Sequence, residues 1–151
     1  ANTYGNIGLV YTQQGNYPEA LKNHLASLKI REEIGNKEGI ATCCRNIGMV
    51  KLKMHAAKEA KDWLLKGLAI AKEIEAVPHM KDLYSFLSKA DSALGNFKGA
   101  YENHKLYIAC RDSLGNIENT KKTVALQMNY DFSKKQDSIL TSYGVHVLMN
   151  H

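Results

Sequence analysis

A shift of forty residues aligns this sequence with itself twice, without a gap. Ala20, Ala60 and Ala100 coincide, and a small residue recurs at positions 8, 48 and 88. The first and third copies agree further, because Gly15-Asn16 falls on Gly95-Asn96. Self-similarity at a period of about 20 to 50 residues is the signature of repeat proteins, in which similar supersecondary units stack on one another. The repeat therefore decides the fold class before any other feature does.

Each copy is predicted to form two helices joined by a tight turn. Gly15-Asn16 ends the first helix, since glycine tolerates a positive φ and asparagine can cap the helix that follows. One face of the first helix, at the spacing i, i+3, i+4, i+7, carries Tyr4, Ile7, Gly8 and Tyr11. One side of the second helix carries Ala20, Leu21, His24, Leu28 and Ile34.

The period divides most of the chain into three helical hairpins. Their predicted boundaries are residues 1–36, 37–76 and 77–116. Gly35-Asn36 ends the first hairpin, and Glu75-Ala76 replaces the Gly-Asn pair at the end of the second. One hairpin cannot bury its apolar face alone, so stacking on its neighbours is expected to complete the core.

The C-terminal part of the sequence lies outside the repeat. Residues 117–138 are predicted to form a helix that caps the third hairpin, with Val124 and Met128 on its apolar side. The alternation of apolar residues there also fits a strand, but the position directly after a helical repeat favours a helix. Residues 139–151 are apolar and uncharged and contain Gly144. A truncated helix, a tail next to a purification tag and a surface strand are all open for them.

Tyr4, Ile7, Gly8, Tyr11 and Ala20 resemble the tetratricopeptide-repeat consensus, with its aromatic residue, Leu-Gly pair, tyrosine and later alanine. The forty-residue period is similar to the long-repeat variety found in kinesin light chains and in bacterial peptide-sensing regulators. The resemblance implies an all-α fold, a right-handed α-α superhelix of three helical hairpins plus a C-terminal capping helix. It also implies a scaffold without enzymatic activity that binds a protein or peptide partner on its concave side.

The composition argues against several other classes of function. Twenty basic and fifteen acidic residues give a net charge of +5, but the two signs are interleaved and form no basic stripe of the kind that binds nucleic acid. No apolar run reaches the roughly 18 residues that a membrane-spanning helix needs. Three cysteines, two of them adjacent, form no disulfide framework and fit a reducing compartment. We therefore predict no nucleic-acid or membrane partner, and a cytoplasmic protein, or a periplasmic one if it is part of a membrane sensor.

The sequence contains no constellation typical of catalysis or metal binding. It has no Gly-rich phosphate loop, no zinc-type cysteine pair and no nucleophile motif. His24 and His104 are two repeats apart, roughly 20 Å or more by helix-packing distances, and cannot share a zinc ion. Cys44 falls at the inward position of Tyr4 and is predicted to be a small buried hydrophobe. We expect no catalytic residue, no metal and no cofactor.

In tetratricopeptide arrays the first helix of each hairpin lines the concave groove, and the resemblance therefore implies a set of groove residues. The predicted set is Asn6, Leu9, Gln13, Thr42, Arg45, Asn46, Met49, Lys53, Asp82, Phe86 and Lys89. Arg45 and Lys53 would attract an acidic segment of the partner. Asn6 and Asn46 would bond its backbone, since an amide side chain both donates and accepts hydrogen bonds. The alternative is that these residues are simply the exposed polar surface of a helix.

Departures from the family pattern narrow the kind of partner. Phe86 occupies the third position of the asparagine series, so it is predicted, with Met49, to be an apolar anchor. The carboxylate clamp of chaperone-tail receptors would need lysine and asparagine where Gly5 and Leu9 stand, and lysine and arginine where Asp82 and Phe86 stand. The chain is therefore predicted not to be a chaperone-tail receptor.

A second hypothesis makes the chain the sensor portion of a larger bacterial signalling protein, such as a histidine kinase, a nucleotide cyclase or a transcription regulator. Residues 112–135 resemble the junction in such proteins at which a coiled coil follows the repeats. The chain would then form a homodimer through its C-terminal helix. Because it opens at Ala1 inside a periodic segment, we expect it to be a fragment of a longer protein.

Overall fold

A computed structural model describes residues 2–149, without the side chains of Asn2 and of residues 145–148. The described residues form six helices and no strand. The helices are α1 (Asn2–Gln13), α2 (Tyr17–Glu33), α3 (Lys37–Lys53), α4 (Ala57–Glu73), α5 (Val77–Ala93) and α6 (Phe97–Met149). The predicted all-α fold of successive helical hairpins is confirmed. Residues 150 and 151 of the predicted tail lie outside the described residues.

The helices pack in the order in which they follow one another in the chain. Each of the first four contacts the next, and α3 also contacts α1 and α5. The third hairpin is joined at Ser88, whose Oγ donates a hydrogen bond of 2.8 Å to the carbonyl of Ala100 on α6. The first helices of the hairpins thus form one layer of the stack, and the sequential packing is that of a helical solenoid.

Turns of one type separate the helices. In the first turn, the amide of Asn16 donates to the carbonyl of Tyr11, and the amide of Gly15 donates to Thr12. This pair of bonds is the Schellman motif, which satisfies the last carbonyls of a helix and needs a positive φ at the residue after it. The side chain of Asn16 then accepts a hydrogen bond from the amide of Glu19 and caps α2.

The core lies between the layers, where small residues allow close approach. Ile47, Leu64, Leu83 and Leu87 are among the largest fully buried side chains. Gly48 is covered by Leu64, since a Cβ atom at position 48 would lie 2.6 Å from that side chain. The small residue at position 48 therefore allows α3 and α4 to approach closely.

The C-terminal helix differs from the sequence prediction. The boundaries expected at 116/117 and at 138/139 do not coincide with helix ends, because α6 continues from Phe97 to Met149. Gly115 lacks the positive φ that Gly35 and Gly95 adopt. A glycine permits the left-handed conformation that ends a helix but does not require it, and packing of the following chain helps to hold such a turn. Residues 116–144 are exposed, so no packing of that kind acts on them. The compact units of the chain divide at Asp112, close to this point.

One residue of the predicted apolar side of α2 is also placed differently. Ile34 is mostly exposed, because it forms the C-terminal cap of α2 rather than part of its buried face. The amide of Ile34 donates to the carbonyl of Ile30 and so completes the helix. The side of α2 that is buried carries Ala20, His24 and Leu28, as expected.

Candidate protein-binding groove

A pocket of about 340 Å³ opens between the first helices of the first two hairpins. Four of the predicted groove residues line it, two from α1 and two from α3. They are Leu9, Gln13, Met49 and Lys53.

The walls of this α1–α3 pocket suit one apolar side chain with a polar rim. Leu9 and Met49 provide the apolar surface, and Lys53 lies in the last turn of α3. Thr12 is buried and its Oγ1 donates a 2.7 Å hydrogen bond to the carbonyl of Gly8. Its hydroxyl proton is therefore already used within α1. A pocket with few convergent polar groups and an apolar interior is typical of a ligand-binding site.

Three lining residues of the pocket were missing from the sequence prediction. Thr12, Gly15 and Tyr17 close the pocket at the turn between α1 and α2. The prediction used only the exposed positions of first helices, and Tyr17 belongs to a second helix. The Gly-Asn turn beside them was visible in the sequence and marks where α2 begins close to the end of α1.

The two asparagines predicted to bond a partner's backbone have different environments. Asn6 is exposed, whereas Asn46 is buried, which corrects its expected place on the groove surface. The Asn46 Oδ1 accepts hydrogen bonds from Arg45, from Nε at 3.4 Å and from Nη2 at 3.3 Å. The difference arises because α3 has a neighbouring first helix on each flank, while α1 has one on a single flank. The two amides therefore do not form a ladder of equal rungs.

The seam between α3 and α5 is closed by polar contacts. The Arg45 Nη1 lies 2.9 Å from Oδ2 of Asp82, and the hydroxyl of Thr42 lies 3.1 Å from Nε2 of His79. Arg45, Thr42 and Asp82 were all predicted to face a partner. In this arrangement they bind neighbouring helices to each other, and the charge of Arg45 is paired within the chain.

The remaining predicted residues lie further along α5. Phe86 is half-buried and packs against the main core cluster, so it is part of the stack as well as of its surface. The Nζ of Lys89 lies 5.2 Å from the centre of the Phe86 ring, within the range of a cation–π contact. If Phe86 acts as an apolar anchor, only the exposed part of its ring can contact a partner.

The described residues offer no cluster of metal ligands, and Cys44 is poorly placed to act as a nucleophile. No group of three or more His, Cys, Asp or Glu side chains there could hold a metal ion. Cys44 is fully buried, and burial raises the pKa of its thiol to about 11, so the thiolate that reacts as a nucleophile is scarce at neutral pH. In the same part of the chain, no helix is long and apolar enough to cross a membrane.

Stacked antiparallel hairpins with an open pocket between first helices define the chain as an α-helical repeat scaffold. A family model described as tetratricopeptide repeat matches residues 1–73, so this part of the chain is similar to that family. Domains of this family are typically non-catalytic scaffolds for protein interactions.

A solved structure shares the fold. The crystal structure of the TPR domain of Arabidopsis FLU matches with a TM-score of 0.70 and 16% sequence identity, covering 74% of this chain and 93% of that one. At this identity the likeness concerns the fold alone. Comparison with curated proteins gave no match.

Proposed function

We propose that this chain binds an extended segment of a partner protein in the groove formed by its first helices, without catalysing a reaction. The α1–α3 pocket of about 340 Å³ carries this proposal. It lies on the side of the stack that the first helices share, and two apolar side chains, Leu9 and Met49, face it. The fold supports the same function, since repeat solenoids present extended surfaces to their partners.

The lining of the pocket indicates the chemistry of the bound segment. One large apolar side chain would fill the space between Leu9 and Met49. The exposed ammonium of Lys53 at the rim favours a neighbouring carboxylate, and the Gln13 amide can donate to or accept from the peptide backbone. Arg45 contributes little to this attraction, because its guanidinium is already paired with Asp82.

Selection from a random-peptide display library tests the groove directly. Peptides that bind the purified chain are measured by calorimetry against a groove variant, Leu9→Glu with Met49→Glu. We expect affinity to fall about tenfold or more, since a carboxylate replaces each apolar wall. The matched control is Leu25→Glu with Leu65→Glu, which places the same charges on exposed leucines of α2 and α4. Equal affinity for the groove variant and the parent would refute groove binding.

We propose, as a second candidate, that the chain is the sensor or regulatory portion of a larger signalling protein and dimerises through the part of α6 beyond the third hairpin. At 100° per residue, one face of residues 114–143 carries a stripe of apolar side chains that Lys121 and Lys135 interrupt. This α6 stripe is Leu114, Ile117, Val124, Met128, Phe132, Ile139 and Tyr143. Ile117, Met128 and Ile139 are spaced by eleven residues, a period that pairs helices with a right-handed supercoil.

Sedimentation of the full chain tests the α6 stripe. Met128 and Phe132 are each about two-thirds exposed, so replacing both by glutamate removes the stripe without disturbing packing. We expect the mass of the Met128→Glu, Phe132→Glu variant to be lower than that of the parent at the same concentration. An unchanged mass distribution would remove the stripe as a dimer contact.

A further inference from the structure

The outer face of α1 is exposed, although the residues at equivalent repeat positions on α3 are buried. Ile7 is 38% exposed, whereas Ile47, forty residues later, is 1% exposed. Val10 is 50% exposed, whereas Val50 is 0% exposed. On α3 this face is covered by the preceding hairpin, where Leu28 of α2 belongs to one cluster with Ile47. On α1 the same face is open.

A hollow marks the open face of α1. It has a volume of about 390 Å³ and lies on the opposite flank from the α1–α3 pocket. Its lining consists of Asn6, Ile7, Val10, Tyr11 and Gln14. None of the residues of α1 is charged. An apolar, uncharged face of this kind is typical of a surface that another hairpin covers, because capping repeats normally turn a polar face to water.

The first part of α6, residues 97–112, is more exposed than α4 at equivalent positions of the repeat. Leu64 of α4 is fully buried, in one cluster with Leu83 and Leu87 of α5. His104, at the same register on α6, is exposed. Tyr101 is 61% exposed, whereas Lys61 at its register is half-buried. This face of α6 is therefore the kind of surface that α2 and α4 present to the next hairpin, and it too is open.

We propose that a second copy of this chain occupies these surfaces, so that the outer face of α1 in one molecule stacks on residues 97–112 of α6 in another. The argument is continuity with an established interface. Within the chain, α2 contacts α3 and α4 contacts α5 through these two registers, since Leu28 clusters with Ile47 and Leu64 clusters with Leu87. The two halves of the same interface are left open at opposite ends of the stack, and a second molecule supplies both.

Head-to-tail contact of this kind is heterologous, and it is open-ended unless the rotation between molecules closes a ring. The mass of the protein is therefore expected to increase with concentration, without a fixed dimer. This assembly uses neither the α1–α3 pocket nor the α6 stripe. The tests of this assembly are therefore independent of the tests of groove binding.

Two variants that each disable one face test the proposal. Both are made in the Met128→Glu, Phe132→Glu background, so that the α6 stripe does not contribute. The first adds Ile7→Glu and Val10→Glu on α1. The second adds Tyr101→Glu and His104→Glu on α6, where both side chains are exposed. Masses are measured by light scattering over a dilution series, with circular dichroism as the check on folding.

Each variant alone is expected to be monomeric, while the background protein forms oligomers. An equimolar mixture is expected to form a dimer and nothing larger, because each variant retains the face that the other lacks. This rescue requires both variants to be folded, and it separates a lost contact from a lost fold. A control with Leu65→Glu and Ala69→Glu, on the exposed side of α4, is expected to assemble like the background.

Three outcomes would overturn the proposal. A monomeric background protein at all concentrations would leave these faces to an additional hairpin of a longer chain or to another protein. Continued assembly of the isolated α1 variant would point to a symmetric contact elsewhere. A mixture of the two variants that stays monomeric would show that the two faces are not partners.

Discussion

The imidazole of His24 packs directly against Gly8, so closely that a Cβ atom at position 8 would lie 2.7 Å from Cε1 of the ring. The second hairpin repeats this relationship with Gly48 under Leu64. In the third, Ser88 takes the glycine's place and bonds the backbone of α6 instead. In the first two hairpins the small residue therefore makes room for a large side chain sixteen residues later, on the second helix of the same hairpin.

Replacement of Gly8 by alanine is expected to destabilise the protein. The methyl group would overlap the His24 ring, and overpacking of this kind typically costs about 1–3 kcal/mol. The free energy of unfolding, measured by urea denaturation, reports the change. Gly5→Ala is the matched control on the same helix, because its Cβ would meet Ser27 Oγ at an ordinary distance of 3.7 Å. Gly5→Ala is expected to be neutral or stabilising by up to about 1 kcal/mol. Equal losses for the two variants would contradict this account of Gly8.

Protonation of His24 is expected to make the stability depend on pH. The side chain is fully buried, and neither ring nitrogen has a hydrogen-bond partner among the described residues. Burial disfavours the charged form and lowers the pKa of His24 in the folded protein. Below about pH 6.5 the unfolded chain binds a proton that the folded chain does not. Neutral His24 therefore costs no stability above about pH 6.5. As the pH decreases below about 6.5 the free energy of unfolding falls, and it stops falling once the pH is below the lowered pKa of His24 in the folded protein.

Urea denaturation at pH values from neutral down to about 5.5 measures this dependence. A single group contributes at most about 1.4 kcal/mol per pH unit. His24→Leu is the informative variant, because Leu64 shows that leucine fits over a glycine at this register. We expect the variant to lose much of the slope below pH 6.5. A slope identical to that of the parent would assign the pH dependence to other groups.

The turns between helices recur every twenty residues. Two of them lack the glycine that a positive φ favours. The residue with a positive φ is glycine at positions 15, 35 and 95, but it is His55 and Glu75 in the second hairpin. The next residue is asparagine in the turns with glycine, whereas Ala56 and Ala76 provide no side-chain cap. A side chain in this left-handed region is strained by contact of Cβ with the backbone.

Transfer of the Gly-Asn pair to the turn between α3 and α4 is expected to stabilise the protein. His55→Gly removes the strain, and Ala56→Asn supplies an acceptor for the first amides of α4. Together they should raise the free energy of unfolding by about 1–2 kcal/mol. The reverse change, Gly35→Ala with Asn36→Ala, is expected to lower it by a similar amount. Thermal and urea unfolding of both variants measure the effect. A less stable His55→Gly, Ala56→Asn variant, or a more stable Gly35→Ala, Asn36→Ala variant, would contradict the role given to these turn residues.

The sequence predicted the hairpins well because their signals are local. Gly15-Asn16 acts within a few residues, and the spacing of Ala20, His24 and Leu28 requires only one helix. Gly115-Asn116 carries the same local signal, yet α6 continues through it. A glycine permits a turn, but the packing of the next helix is needed to hold it, and that packing is not written in the Gly-Asn pair.

The groove was predicted less well because its contacts join different repeats. Arg45 meets Asp82, and Thr42 meets His79. Each pair is 37 residues apart, three short of the repeat, so aligning equivalent positions does not bring these partners together. The offset between neighbouring first helices decides which side chains pair with each other and which face a partner. That offset depends on how the hairpins stack. The sequence therefore predicted individual residues of the α1–α3 pocket but not that they lie together.

A buried carboxylate joins three helices at the end of the stack. Asp91 on α5 is almost fully buried, and its Oδ1 lies 2.6 Å from Nζ of Lys61 on α4. Its Oδ2 accepts a 2.9 Å hydrogen bond from Nδ2 of Asn103 on α6. Asn96, in the turn before α6, donates a longer bond of 3.4 Å to Oδ1. Oriented donors on three sides compensate the carboxylate for the loss of water.

Asp91→Ala is expected to destabilise the protein by about 2–3 kcal/mol, because it leaves Lys61 and Asn103 without their shared acceptor. Lys61→Ala should cost only about 1 kcal/mol, since the asparagine amides still bond the carboxylate and the lysine side chain is partly exposed. Lys66→Ala is the control for a surface pair, with Glu32 at 3.4 Å and both side chains half-exposed, and should change stability by less than about 0.5 kcal/mol. Urea denaturation of the three variants ranks them. If Asp91→Ala costs no more than Lys66→Ala, the carboxylate does not hold the third hairpin to the stack.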